Sequence, residues 1–266
     1  MFGVLVIAFY LGAAGLSAFS AWRGRAQLKA GAVGAGLAGA AVVAHVLWLS
    51  GTLRAEPGYA LDIGAALSLF GLVVGSIAVL LALRPNFRAP AAILLATAGI
   101  LAVGTGSLST MREVHEPGWP LAAHITLSAL AFGLLATAAL LTVVMAVQDT
   151  ALRSRRPAPW LGALPPMESM EHAVFVLLRI GFVALSLTLV IGFFFVTDLF
   201  SQRLVHKVTL AIAAWAIFGA LLLGRWRFGW RGRKARRFAL AGFAVLVASY
   251  FLTKFVLENI LGRHWG

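Results

Sequence analysis

The sequence predicts an all-α integral membrane protein of eight transmembrane helices, with both termini on the outer, periplasmic side. Three observations predict it. Hydrophobic residues make up 61% of the 266 residues and charged residues only 12%, against about 45–50% apolar in soluble domains, and the mean hydropathy is +0.93. Apolar runs of about 20 residues, the length needed to cross the hydrocarbon layer, recur eight times. Basic residues gather in alternate connections. The whole chain, 1–266, reads as one transmembrane domain, since the spans leave no room for a large soluble one.

The first run, 2–20, starts at Phe2 without a basic leader or a convincing cleavage site, so it is expected to stay as a span rather than be removed as a signal peptide. The second, 31–50, opens on "GAVGAGLAGAAVVAH". Gly31, Ala35 and Gly39 there are spaced for close helix packing, and His45 falls about one and a half turns from the span's outer end. The third and fourth runs are 62–83 and 90–108. The fifth and sixth, 121–147 and 173–199, are long enough to tilt or to extend past the membrane. Between them 148–172 is the longest connection, a surface linker by its prolines and charges. The seventh is 206–224, and the eighth, 238–259, follows the run "RWRFGWRGRKARR". All must be helical, because backbone groups in lipid need internal partners.

Orientation follows from charge. Connections one, three, five and seven hold 15 of the 22 Lys and Arg residues. They are Arg23, Arg25 and Lys29; Arg84 and Arg88; Arg153, Arg155 and Arg156; and the seven cations from Arg225 to Arg237. The positive-inside rule makes these connections cytoplasmic, in a multi-pass protein of the bacterial inner membrane. The net charge of +13 thus reports topology and contact with anionic lipid, and no nucleic-acid partner is expected. Cysteine is absent, which excludes disulfides, thiolate zinc and iron–sulfur ligation and a cysteine nucleophile. No metalloprotease, nucleophile-elbow, P-loop or dinucleotide motif is present.

This topology sorts the histidines. His45, His115, His124, His206 and His264 lie at or near the outer face, and His172 is cytoplasmic, a solvated helix start beside Glu171. An ionisable residue in lipid is a functional candidate by default, and neutral imidazole is an axial ligand for haem iron. Two axial imidazoles must come from different chain elements, because one helix cannot straddle a porphyrin. The outer rim also offers aromatic walls and cations for propionates: Trp48, Trp119, Phe200, Trp265, Arg112, Arg203 and Arg263. Alternatives stand beside this. Tryptophans at span ends also serve as interfacial anchors, His115 and His206 suit headgroup depth, and His45 equally suits an interhelical hydrogen bond. Asp62 and Asp198 sit at outer span ends, where headgroup exposure suffices. Arg179, about two turns from the inner end of its span, is expected to snorkel or to pair with an acid.

Four stretches carry a family resemblance: "LDIGAALSLFGLVV", "PLAAHITLSALAF", "LAIAAWAIFGALLLGRWRFGWRGRKA" and "NILGRHWG". The chain resembles the integral-membrane cytochrome c assembly proteins, the CcsA/CcmC/CcmF haem-handling superfamily, and within it the small HemX- and YpjD-like branch. The resemblance implies two outward histidines as axial ligands of haem b, matched by motif to His124 and His264. His45 matches an intramembrane histidine of the small branch, and with Trp119, Trp265, Arg112 and Arg263 of the outer rim it completes the set of candidate cofactor contacts. The chain departs from the ligase members where their WGxxWxWD motif would stand, reading "DLFSQRLVHKVTLAIAAW" with Lys207 and Trp215 as remnants. The missing motif points to a haem-binding accessory role rather than a turnover enzyme. Haem, membrane lipids and other cytochrome c maturation proteins are the implied partners. Two rival readings are a membrane regulator of a haem-biosynthesis enzyme, acting through the cytoplasmic loops, and a secondary transporter.

Overall fold

The structure, a computed structural model, describes residues 2–23, 28–53, 59–60, 63–102, 113–114, 118–154, 159–195 and 205–252. The described residues form eight α-helices: α1 Phe2–Arg23, α2 Leu28–Leu53, α3 Ile63–Ala82, α4 Arg88–Ala102, α5 Trp119–Arg153, α6 Met167–Phe195, α7 Val205–Phe228 and α8 Gly232–Val247. A short antiparallel pairing of Tyr59 with Val114 and Ala60 with Glu113 is the only strand structure among the described residues. Helix α5 opens on Gly118 with Pro120 in its first turn, where a missing N–H costs nothing. At 35 and 29 residues, α5 and α6 extend to roughly 52 and 44 Å, past a hydrocarbon layer of about 30 Å, as their sequence runs predict.

Seven helical segments are long and apolar enough to cross a membrane: α1, α2, α3, α5, α6, α7, and α4 taken with the turn Pro85–Phe87 that leads into it. The eighth is described only in part. Helix α8 begins at Gly232, inside the basic run, and continues as a π turn over Ala248–Leu252. Its first turns carry Arg233, Lys234, Arg236 and Arg237, so its described apolar part, 238–252, is shorter than a full crossing, and 253–259 lie outside the described residues.

The chain divides into two compact units: Met1–Gly118 with Val143–Ala173, and Trp119–Thr142 with Val174–Gly266. In unit 1, α1 packs on α2, α2 on α3, α3 on α4 and α4 back on α1, an up-and-down four-helix arrangement. The buried stripe of α2 runs through Gly31, Gly34, Ala35, Ala38, Ala41, His45 and Leu49. Gly39 lies off it and faces open space. A strict four-residue step drifts about 40° per repeat at 3.6 residues per turn, so two steps from Gly31 leave the contact face. Gly34 brings α2 within touching distance of Leu16 and Ser17 on α1.

In unit 2, α5 to α8 pack in the same cyclic order. Gly181 of α6 admits Leu134 and Leu135 of α5, and Trp215 of α7 donates its indole N–H to Ser186 of α6 at 2.8 Å. Gly242 of α8 admits Phe218 of α7, and Phe132 of α5 meets Phe243 of α8 at 5.5 Å between ring centroids. The "GWRGRK" stretch forms a defined corner between α7 and α8. Gly229 and Gly232 adopt φ of 64° and 58°, left-handed values that favour glycine. Trp230 folds back into the space over Gly224, its N–H bonded to the Gly224 carbonyl. The Lys234 ammonium lies 3.6 Å over its ring. Arg179 donates from Nε to the Phe175 carbonyl one turn earlier, so it reaches toward the N-terminal end of α6.

Candidate functional site

The outer half of α5 places His124 one and a half turns after the Gly118–Trp119 start, on the face turned to α6. Its Nδ1 lies 3.2 Å from the backbone carbonyl of Thr188. A carbonyl only accepts, so Nδ1 carries the proton, and in the neutral ring Nε2 holds the lone pair. This is the arrangement that orients metal-binding histidines: one nitrogen donates to a fixed carbonyl while the other presents its electrons. The approach depends on Gly192. A Cβ there would stand 3.1 Å from the ring's Cε1 and 3.4 Å from Nδ1. Gly192 is buried one turn after Thr188, and its bare backbone leaves the Thr188 carbonyl reachable from the side. The buried Thr188 hydroxyl has no hydrogen-bond partner, so the turn under His124 is polar as well as tight. Neither Thr188 nor Gly192 stands out in "SLTLVIGFFF". The only sequence signal is the pairing of a hydroxyl residue and a glycine one turn apart in an apolar span.

Around this end of unit 2 the aromatic side chains are exposed. Trp119 is the first residue of α5 and is 69% exposed. Phe193 and Phe194 are 63% and 71% exposed and meet edge to face. Arg112, Arg263, His264 and Trp265 lie outside the described residues, as do His115, Phe200, Arg203, Asp62 and Asp198. His206 falls on the first turn of α7. His172 is exposed on the first turns of α6.

His45 belongs to unit 1, and its surroundings decide between the two readings of it. The ring is fully buried. Nδ1 meets the Tyr10 hydroxyl of α1 at 3.2 Å and Nε2 the Ser68 hydroxyl of α3 at 2.7 Å. Both partners are hydroxyls, so either tautomer is satisfied, and neither nitrogen has a lone pair left for iron in this arrangement. His45 is here the interhelical tie that its position in an apolar helix allows. Trp48, one turn on, lies against Gly3 of α1 rather than standing clear as a wall. Tyr10 in turn fills a notch between Gly75 of α3 and Gly99 of α4. Among the described residues, no three His, Cys, Asp or Glu side chains gather into a set that could hold a bare metal ion.

The comparisons bear on these positions. The family model for "Cytochrome C assembly protein" matches residues 64–261, a range that contains His124, Thr188, Gly192 and the Gly229–Lys234 corner and ends three residues before His264. "Inner membrane protein YpjD" of Escherichia coli (strain K12) is 36% identical over 137 residues, 52% of this chain and 52% of that protein. An uncharacterized 28.8 kDa protein of Azospirillum brasilense is 34% identical over 149 residues, 55% of each. "Cytochrome c biogenesis protein CcsA" of Gloeobacter violaceus is 26% identical over 165 residues, 61% of this chain and 46% of that one. The matches span about half the length of the first two relatives. No solved structure matches the chain. With seven apolar helices of spanning length and a match over most of its residues, the chain is a multi-pass membrane protein and belongs to the cytochrome c assembly protein family.

Proposed function

We propose that the protein is a haem-handling component of cytochrome c biogenesis in the bacterial inner membrane. His124 and His264 are its axial ligands at the outer face, and residues 1–266 act as one assembly-type membrane domain. One observation carries the reading: His124 donates Nδ1–H to the Thr188 carbonyl, which fixes the tautomer that presents Nε2 to a metal. The exposed Trp119, Phe193 and Phe194 at the same end of unit 2 are suited to stack on a flat apolar ring. Trp265, Arg112 and Arg263 complete the proposal as the ring's aromatic and cationic contacts.

Haem b would supply an iron centre taking two imidazoles. The chain's own residues do the rest. Thr188 and Gly192 hold the His124 ring at a set angle, and the aromatic side chains exclude water from one face. Arginine guanidiniums are matched to propionates by their fork of donors. The role is positional, with the group held for a partner among the cytochrome c maturation proteins rather than turned over.

The test is spectroscopic. Protein expressed with ample haem and purified in detergent is expected to show a Soret band that disappears in the His124→Ala/His264→Ala double variant and persists in His172→Ala. A purified wild type without the band, or a band unchanged in the double variant, overturns the reading.

A further inference from the structure

We propose that Arg88 is the anchor of a phosphate-oxyanion site at the basic end of unit 1. Arg88 opens α4 after the turn Pro85–Phe87, yet its side chain does not reach for water. It is only 7% exposed. The guanidinium lies directly over Gly31 of α2, where any side chain would overlap it, and one terminal nitrogen donates to the Ser20 hydroxyl of α1 at 2.7 Å. Its Nε is buried without a partner. No carboxylate among the described residues pairs with it. One turn before Ser20, the fully buried Ser17 hydroxyl also lacks a partner.

A guanidinium carries a full positive charge, so this is a buried charge whose one hydrogen-bond partner among the described residues is a neutral hydroxyl. Such a charge is strongly unfavourable without a counter-ion. The surroundings add positive rather than negative potential. Helices α2 and α4 both begin at this end, presenting their positive poles, and Arg23, Lys29 and Arg84 are exposed there. The last carbonyls of α1 offset only a fraction of a charge. The missing partner is therefore an anion. A planar fork of donors between two helix N-termini matches the oxygens of a phosphate. The depth, at the end of a bundle of spanning helices, suits the phosphate of a phospholipid headgroup, and free phosphate has the same chemistry.

The experiment uses the full chain in a zwitterionic detergent that lacks phosphate, with the thermal unfolding midpoint as readout. Phosphatidylglycerol in mixed micelles is expected to raise the midpoint by roughly 5 °C over an equal amount of diacylglycerol. The rise should vanish in Arg88→Met and survive in Arg84→Met, which removes a cation of the same end. If millimolar inorganic phosphate gives the same rise over sodium chloride of matched ionic strength, the oxyanion is free phosphate and the site stands. No rise with either probe in the wild type overturns the proposal, and this arm holds even if Arg88→Met does not fold. A rise retained in Arg88→Met, or lost equally in Arg84→Met, overturns it as well.

Discussion

At the scale of single residues, the two histidines that the sequence places in or near apolar spans part company because of what stands opposite each. His124 meets a backbone carbonyl, which fixes its proton on Nδ1. His45 meets two hydroxyls, which occupy both nitrogens. Gly192→Ala tests the first. The added methyl would stand 3.1 Å from the ring, so the ring must give way by a few tenths of an ångström and lose its bond to Thr188. Haem affinity is expected to fall about 10-fold with the fold retained, measured by haem titration of the apo-protein. Unchanged affinity would separate Gly192 from the site. His45→Leu tests the second. It strands the Tyr10 and Ser68 hydroxyls, at a cost of about 1–3 kcal/mol in mixed-micelle unfolding. Combined with Tyr10→Phe the costs should be less than additive, since the two groups share a bond. Full additivity would show that the tie contributes nothing.

At the scale of elements, glycine positions set how closely the helices approach. Tyr10 enters the bundle because Gly75 and Gly99 have no side chains: a Cβ at Gly75 would come 2.5 Å from the tyrosine hydroxyl, and one at Gly99 3.1 Å from its Cβ. Gly75→Ala therefore overpacks a buried contact and should destabilise unit 1 by about 1–3 kcal/mol. The same change at Gly15, which faces open space, should cost nothing measurable, so equal melting of the two variants would refute the packing account. The corner after α7 works differently. Gly229 and Gly232 are needed for their left-handed backbone rather than for room, since nothing lies within 4 Å of either added Cβ. This gives a physical reason for the Gly-Trp-Arg-Gly pattern that the sequence comparison could recognise only as a motif.

At the scale of the whole molecule, the contacts establish alternating helix direction within each unit. Ser20 near the end of α1, Gly31 near the start of α2 and Arg88 at the start of α4 meet at one end. Tyr10, His45 and Ser68 meet toward the other. In unit 2 Arg225, late in α7, stacks over Phe175, early in α6, while His124 and Thr188 meet at the opposite end. The basic ends thus collect together in each unit. Which end faces the cytoplasm is open to direct measurement, because the chain has no cysteine. Gly118→Cys should react with an impermeant maleimide in intact spheroplasts, and Ser154→Cys only after lysis. The reverse pattern would invert the orientation read from the positive-inside rule.

The sequence by itself determined the class, the helix count and most helix positions, because a bilayer demands long apolar helices and punishes charge within them. It also placed His124 among five histidines at or near the outer face, from which the family resemblance picked it out with His264. Only the tertiary structure decided what stands opposite His45 and His124, which face of α2 is buried, that Arg88 turns inward rather than to water, and that Thr188 and Gly192 lie against His124. These depend on which atoms of a distant helix arrive opposite a side chain. An apolar helix in lipid is hydrophobic all round, so its sequence carries little periodic signal of the face that meets its neighbours.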